Sequence, residues 1–333
     1  MPSALHCTHP GVLRRRLLGT LLLAGVPLSR AAAQDRAAPL RLLVPPGPLQ
    51  APAQVLTEAA QAALGDITLL PAPGRGSGSA SAMVAQSRPQ DRMLLMGSLT
   101  THALQPWLCQ PAGYDALADF RPLLLVARLP HVLVMTPAAA QGMRNPFDLL
   151  RHLREHPHSL RYGSSGRGSL GHIAGVMFQA GTGLELAHLP FQGAQPAMAA
   201  LLSGAVDMAF DALPAVLPLI RAGRLQALGV TSLLRSPLLP EVASLSDVTG
   251  NFNLGDWFGL FAPATLAAED ASHYAQHFSA ALQSPAARAR LRALGILPEN
   301  LLLDDFARFV QSEHRKYGLL IQAHRIQPPF QAS

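Results

Sequence analysis

The sequence predicts an α/β protein in which sheets rich in parallel strands are covered by helices on both faces. Three observations predict this. Short, continuous apolar runs recur between amphipathic segments. The alternation stops and resumes, giving two α/β units rather than one. Glycine- and serine-rich loops follow the apolar runs, where open α/β sheets bind ligands.

The elements follow in order. Residues 40–44 read as a buried strand, 53–64 as an amphipathic helix and 67–70 as a second strand. A helix starts over 79–86, and 93–96 is a third strand. Residues 187–191, 206–210 and 225–230 read as strands of the second unit, with helices over 197–202 and 215–221 between them. Gly223 stands where a helix C-cap is expected. Residues 271–282, 285–294 and 304–323 make the C-terminal part mostly helical, and no solenoid-length repeat occurs.

The amino terminus reads as an export signal. Arg14, Arg15 and Arg16 precede the apolar run 17–26, and Ala31-Ala-Ala33 offers a small-residue cleavage site. Cleavage is expected after about Ala33, by the Sec or the twin-arginine route. The run is short for a membrane anchor. No other stretch looks transmembrane, so a soluble periplasmic chain of about 300 residues is expected, enough for two domains. Cys7 lies in the signal, leaving Cys109 as the single cysteine of the exported chain and no intramolecular disulfide. Basic charge is carried by arginine, with Lys316 the only lysine. No basic stripe is interleaved with aromatics, so nucleic acid is not an expected partner.

The most informative run is Leu160-Arg-Tyr-Gly-Ser-Ser-Gly-Arg-Gly-Ser-Leu-Gly-His172. It reads as a strand, a loop and a helix start, a junction that aims backbone N–H groups at one point and favours an anion. Gly166-x-Gly168-x-x-Gly171 also matches the dinucleotide fingerprint formally. However, Glu185, the candidate ribose ligand, precedes strand 187–191, at its amino end. A serine hydrolase acting on a small ester or amide is the alternative, but Gly163-Ser-Ser165-Gly166-Arg167 misses the Gly-x-Ser-x-Gly spacing. His152, His156 and His158 lie close together, but Pro157 interrupts them and no carboxylate completes a metal pattern. No metal, cofactor or catalytic residue is therefore assigned. His102 and His172 each open a helix after a cleft loop, as a ligand contact or a packing residue. Asp211, at the carboxyl end of strand 206–210, either faces the cleft or caps the next helix, and Asp207 reads as structural. Trp257 reads as core where the chain crosses between units.

Several further runs occur together. Leu94-Leu-Met-Gly97 precedes Thr101-His-Ala-x-x-Pro106. Tyr162-x-Ser-Ser-Gly-x-Gly-Ser169 precedes His172-x-Ala-Gly175 and His188-x-Pro-Phe-x-Gly193. Leu201-Leu-x-Gly204-x-Val-Asp207-x-x-x-Asp211, Leu213-Pro-x-x-Leu-Pro-x-Ile220 and Trp257-Phe-Gly-Leu-Phe-Ala-Pro263 follow. In order and spacing these resemble the Bug family of periplasmic solute receptors, associated with tripartite tricarboxylate transporters. The resemblance implies a type II periplasmic binding protein fold: two lobes, two crossovers and a central cleft. It implies a monomeric, non-enzymatic receptor for a small organic carboxylate, delivered to membrane transporter subunits or to a sensor kinase. It divides the chain into a signal (1–33), lobe I (34–130), lobe II (131–234) and a return crossover with the end of lobe I (235–333).

By position, the resemblance assigns ligand contacts to Pro46, Gly47, Gly76, Ser77, Ser98 and Thr101 in the first lobe. It assigns Ser164, Ser165, Gly168, Ser169, His172 and Asp211 in the second. The chain departs from the family pattern in its first loop, Pro45-Pro-Gly-Pro-Leu-Gln-Ala-Pro52, where Pro48 removes an N–H. Arg75 and Arg167 are additional cations beside the loops.

Overall fold

The computed structural model describes residues 39–45, 48–72, 77–109 and 111–326. The signal and its cleavage site, Pro46, Gly47, Arg75 and Gly76 lie outside these residues.

Among the described residues, eight of ten strands form one continuous path across two sheets, and the other two pair beside it. In the first sheet, β1 (Leu40–Val44) lies between β2 (Ile67–Pro71) and β3 (Met93–Ser98), parallel to both. These strands are the apolar runs read from the sequence. Helices α1 (Gln50–Leu64) and α2 (Ser77–Ala85) connect them, as parallel strands require. A π-helical turn (Thr100–Leu104) runs into α3 (Gln105–Leu108).

The second sheet has the same plan. Parallel β5 (Arg161–Ser164) lies between β6 (Ala187–Pro190) and β7 (Met208–Ala212). It is connected through α6 (Leu170–Thr182) and α7 (Ala194–Leu202), while α8 (Leu213–Arg221) leads to β8 (Gln226–Val230). Helices α4 (Pro137–Ala140) and α5 (Pro146–Glu155) precede β5, and α9 (Ser246–Thr249) follows β8.

One long strand, β4 (Phe120–Met135), belongs to both sheets. Residues 120–130 pair antiparallel with β9 (Gly255–Pro263), and residues 131–135 pair with β7 and β8. The hand-over falls at Pro130, which pairs with Gly255 and donates no N–H to a ladder. Pro122 sits at a register shift, the tolerated place for proline in a central strand. The central run Leu-Leu-Leu-Val-Ala, 123–127, is fully buried, which explains why it is apolar without alternation. The sheet is thus mixed: two parallel triplets joined through antiparallel crossing strands.

The C-terminal helices return to the first sheet. They are α10 (Ala268–Gln283), α11 (Pro285–Ala293) and α12 (Leu303–Ala323), with the short strand β10 (Pro298–Leu302) pairing with β4. Helix α12 buries Phe306, Val310, Tyr317 and Ile321, a stripe at helical spacing. Trp257 is core at the crossing, as expected. It is 1% exposed and meets Phe306 and Phe309 edge-on. Burying about 200 Å² of such a ring is worth on the order of 5 kcal/mol before entropy.

Cys109 is buried; Cys7 and the cleavage that would remove it lie outside the described residues. No helix among the described residues is long and apolar enough to cross a membrane.

Candidate functional site

The loop between β5 and α6 is fixed by its own small residues. Ser164 Oγ accepts the Gly166 N–H at 3.2 Å and lies 2.7 Å from His188 Nε2. Ser169 N-caps α6 by accepting the His172 N–H at 3.3 Å. Gly168 has φ +72°, a backbone that favours glycine, and its N–H donates to His172 Nδ1 at 3.1 Å. A Cβ at Gly171 would stand 2.6 Å from the Phe210 carbonyl oxygen, so only glycine lets α6 approach β7 this closely. The glycines that matched the dinucleotide fingerprint are thus accounted for by turn geometry and packing. Glu185 is exposed and pairs with His158 at 3.6 Å.

A second helix converges on the same place. Gly193 opens α7 with no side-chain cap, and its N–H donates to the Ser165 carbonyl at 3.1 Å. Between α6 and α7 lies a cavity of about 70 Å³. Its walls include Ser164, Ser165, Leu170, Gly171, Ala194 and Asp211. The first-turn N–H groups of Leu170, Gly171 and Ala194 have no intrahelical partner by helix geometry, and among the described residues none bonds elsewhere. The Ser165 hydroxyl is likewise uncommitted among the described residues. Two helix amino ends, each carrying about half a positive charge, meet at the carboxyl ends of β5 and β7.

Three rings stack beside this cavity. His188 lies between Tyr162, with centroids 4.6 Å apart, and His172, with centroids 4.3 Å apart. Burial lowers His172 to about 4, aided by Arg167. Burial lowers His188 to about 3, with His172 and Arg167 contributing. Both are neutral at physiological pH, and His172, accepting at Nδ1, keeps its proton on Nε2. The Ser164–His188 contact superficially matches a nucleophile and its base. An imidazole titrating near 3 is a poor base at pH 7, and among the described residues no carboxylate orients it.

Asp211 is partly buried, and burial raises it to about 6. Asp207 is structural, accepting from the Arg161 N–H at 2.7 Å and its guanidinium at 3.2 Å. His131, which sequence reading passed over inside an apolar strand, also lines the cavity. It is held down to about 4 by burial, and its Nδ1 has no partner.

The first-lobe residues stand elsewhere. Thr101 is fully buried, its Oγ1 accepting the Ser98 N–H at 2.9 Å and lying 2.8 Å from His102 Nδ1. Its hydroxyl therefore holds the turn after β3. Ser98 is buried at the end of β3, and Ser77 opens α2. His102 is a packing residue, stacked on Phe261 with centroids 3.8 Å apart. His152, His156 and His158 gather no metal ligands, and among the described residues no such cluster exists.

Comparison with known proteins agrees with this architecture. A family model described as tripartite tricarboxylate transporter family receptor matches residues 53–326. A UPF0065 protein from the tcbD–tcbE intergenic region of Pseudomonas sp. strain P51 is 29% identical over 321 residues, spanning 94% of this chain and 95% of that protein. The solved structure of R. palustris Rpa4515 with adipate superposes with a TM-score of 0.74 at 26% identity, covering 87% of this chain and 98% of that one. The periplasmic binding protein BugD shares the fold, with a TM-score of 0.71 at 23% identity and coverage of 87% and 98%. With its family match, its two sheets joined through β4 and its cradle at the strand ends, this chain belongs to the tripartite tricarboxylate transporter receptor family, the Bug-type periplasmic solute-binding proteins.

Proposed function

We propose that the protein captures a small organic carboxylate between its lobes in the periplasm and delivers it to a tripartite tricarboxylate-type transporter or to a sensor. The observation that carries this is the convergence of the α6 and α7 amino ends, with unpaired N–H groups and the free Ser165 hydroxyl, on one cavity. Such a cradle binds a carboxylate by oriented dipoles. Rpa4515, similar over most of the chain, was solved with adipate. The lobes divide at residues 130 and 131, where β4 passes from one sheet to the other. Ser98 and the loop after β1 close on the ligand from lobe I. The ligand acts by stabilising the closed population.

The receptor has no catalytic role, which the weak basicity of His188 supports. A thermal-shift screen against a carboxylate panel, run beside ester and amide turnover assays, tests the reading. Stabilisation by one or a few carboxylates without turnover is expected. Turnover of an ester with no carboxylate stabilising the protein would overturn it in favour of a secreted hydrolase.

A further inference from the structure

Asp211 is at odds with the anion cradle around it. It lines the same cavity as the first turns of α6 and α7. Capping α8 would explain a carboxylate here, but the N-cap of α8 is Ala212 and has no side-chain cap. Asp211 Oδ1 accepts only the N–H of Ala212, at 2.7 Å. Among the described residues no other donor and no cation reaches its carboxylate. The other oxygen of this partly buried acid therefore has no protein partner among the described residues and stays open to a cavity built for the opposite charge.

We infer that the ligand supplies the missing donor: the protein selects carboxylates that carry a hydroxyl or ammonium group beside the carboxylate, this group donating to Asp211. The inference rests on the cavity being the ligand site and narrows what enters it. The ligand's carboxylate takes the N–H groups of Leu170, Gly171 and Ala194 and the Ser165 hydroxyl, and its neighbouring donor meets Asp211. A plain dicarboxylate would leave the Asp211 oxygen unbonded and bring a like charge towards it. The cavity, about 70 Å³, has room for roughly five waters. That suits one carboxylate and the group next to it. The adipate of Rpa4515 carries no such donor, so the two ligand preferences diverge.

Titration calorimetry at pH 7.5 on the exported protein tests this with matched acids. Succinate is compared with 2-hydroxysuccinate and 2-aminosuccinate, and adipate with 2-hydroxyadipate and 2-aminoadipate. In the wild type, a donor-bearing acid binds at least tenfold more tightly than its plain parent, and whichever of the two substituents is preferred identifies the donor. Asp211→Ala brings each pair within about twofold. Asp211→Asn keeps an acceptor and abolishes only a preference for ammonium. Equal affinity for plain and substituted acids in the wild type, or an unchanged ratio in both variants, overturns the inference while leaving the receptor reading intact. If no carboxylate of either kind binds, the receptor reading fails and the inference with it. Should Asp211→Ala not fold, Asp211→Leu, which keeps the bulk and removes the acceptor, takes its place.

Discussion

Replacing Thr231 by valine removes one hydroxyl from the point where the chain's two crossings between the sheets touch. Thr231 follows β8 and is fully buried. Its Oγ1 accepts the His131 N–H at 2.8 Å and donates to the Leu254 carbonyl at 2.6 Å. Its own N–H donates to the His131 carbonyl at 2.9 Å, and its carbonyl accepts from Leu254 at 3.0 Å. One side chain thus joins β4, at its switch between sheets, to the segment that leads back to β9.

Valine has nearly the same shape, so the loss is polar. The His131 N–H is orphaned at about 2 kcal/mol and the Leu254 carbonyl at about 1 kcal/mol. The added methyl returns about 0.8 kcal/mol. The net loss is about 2 kcal/mol, which for a urea m-value of about 3 kcal/mol/M lowers the midpoint by about 0.7 M. Thr231→Ser keeps both bonds and loses one methyl, about 1 kcal/mol, so it falls between wild type and valine. Urea denaturation followed by tryptophan fluorescence reads both variants. A valine midpoint within about 0.2 M of wild type, or serine the more damaging, would refute the role of the hydroxyl.

Four further outcomes are expected. Gly171→Ala places a Cβ 2.6 Å from the Phe210 carbonyl, costing about 1–3 kcal/mol as α6 shifts. Calorimetry should show ligand affinity falling at least tenfold, and unchanged affinity would remove α6 from the site. Ser165→Ala with Ser169→Ala should weaken binding without unfolding the protein, since the lost cap costs about 1 kcal/mol; unchanged affinity would exclude the loop. Burial holds His102 and His188 to about 3 and His131 and His172 to about 4. The unfolded histidines take up protons below about 6.5, so this contribution is whole above that pH and lost as pH falls towards 4. Asp211 and Asp256, raised to about 6, act in the opposite sense: their contribution is whole below the ordinary carboxylate pKa and lost as pH rises through 6. With four groups against two, Tm should rise between pH 4.5 and 6.5, and a flat or falling profile would contradict the reading. Asp256→Asn should raise Tm at pH 8 and do little at pH 5, since it removes a partly buried carboxylate whose one hydrogen bond among the described residues is from the Trp257 N–H at 2.8 Å; a lower Tm at pH 8 would show that the charge is compensated.

Legibility in the sequence followed the physics of each element. Strands β1 and β3 were plain because strands covered on both faces are uniformly apolar; β2, at the edge of the sheet, is only partly buried and was read from its short apolar run. The longest strand among the described residues, β4, was not read, because Pro122 and Pro130 look like breakers. One sits at a register shift and the other where pairing passes between sheets, so neither interrupts a ladder. The β5–α6 loop was legible from its glycines and serines. The opposing wall was not. Helix α7 was expected from residue 197 but begins at Ala194. It is opened by Gly193 without a serine, threonine or aspartate cap, so nothing polar marks its start. The missed turn is the one that lines the cavity.

The site that results is made of dipoles more than of charges. Two uncapped or lightly capped helix ends face an ionisable aspartate, and two histidines beside them are kept neutral by burial. Protonated histidines would bind any anion more tightly, but with less regard to shape and with strong dependence on salt and pH. On the proposed reading, neutral donors fixed by Gly168, Ser169 and the strand ends would reward only a carboxylate in the right orientation, and Asp211 would exclude a second negative charge from the same end. Arg167, exposed and without an ion pair among the described residues, remains at the loop to meet a more distant one. If that division holds, Arg167→Ala should weaken dicarboxylates more than monocarboxylates of equal length, read by calorimetry at two ionic strengths. An equal loss for both classes would reduce Arg167 to general attraction and leave the dipoles to set specificity alone.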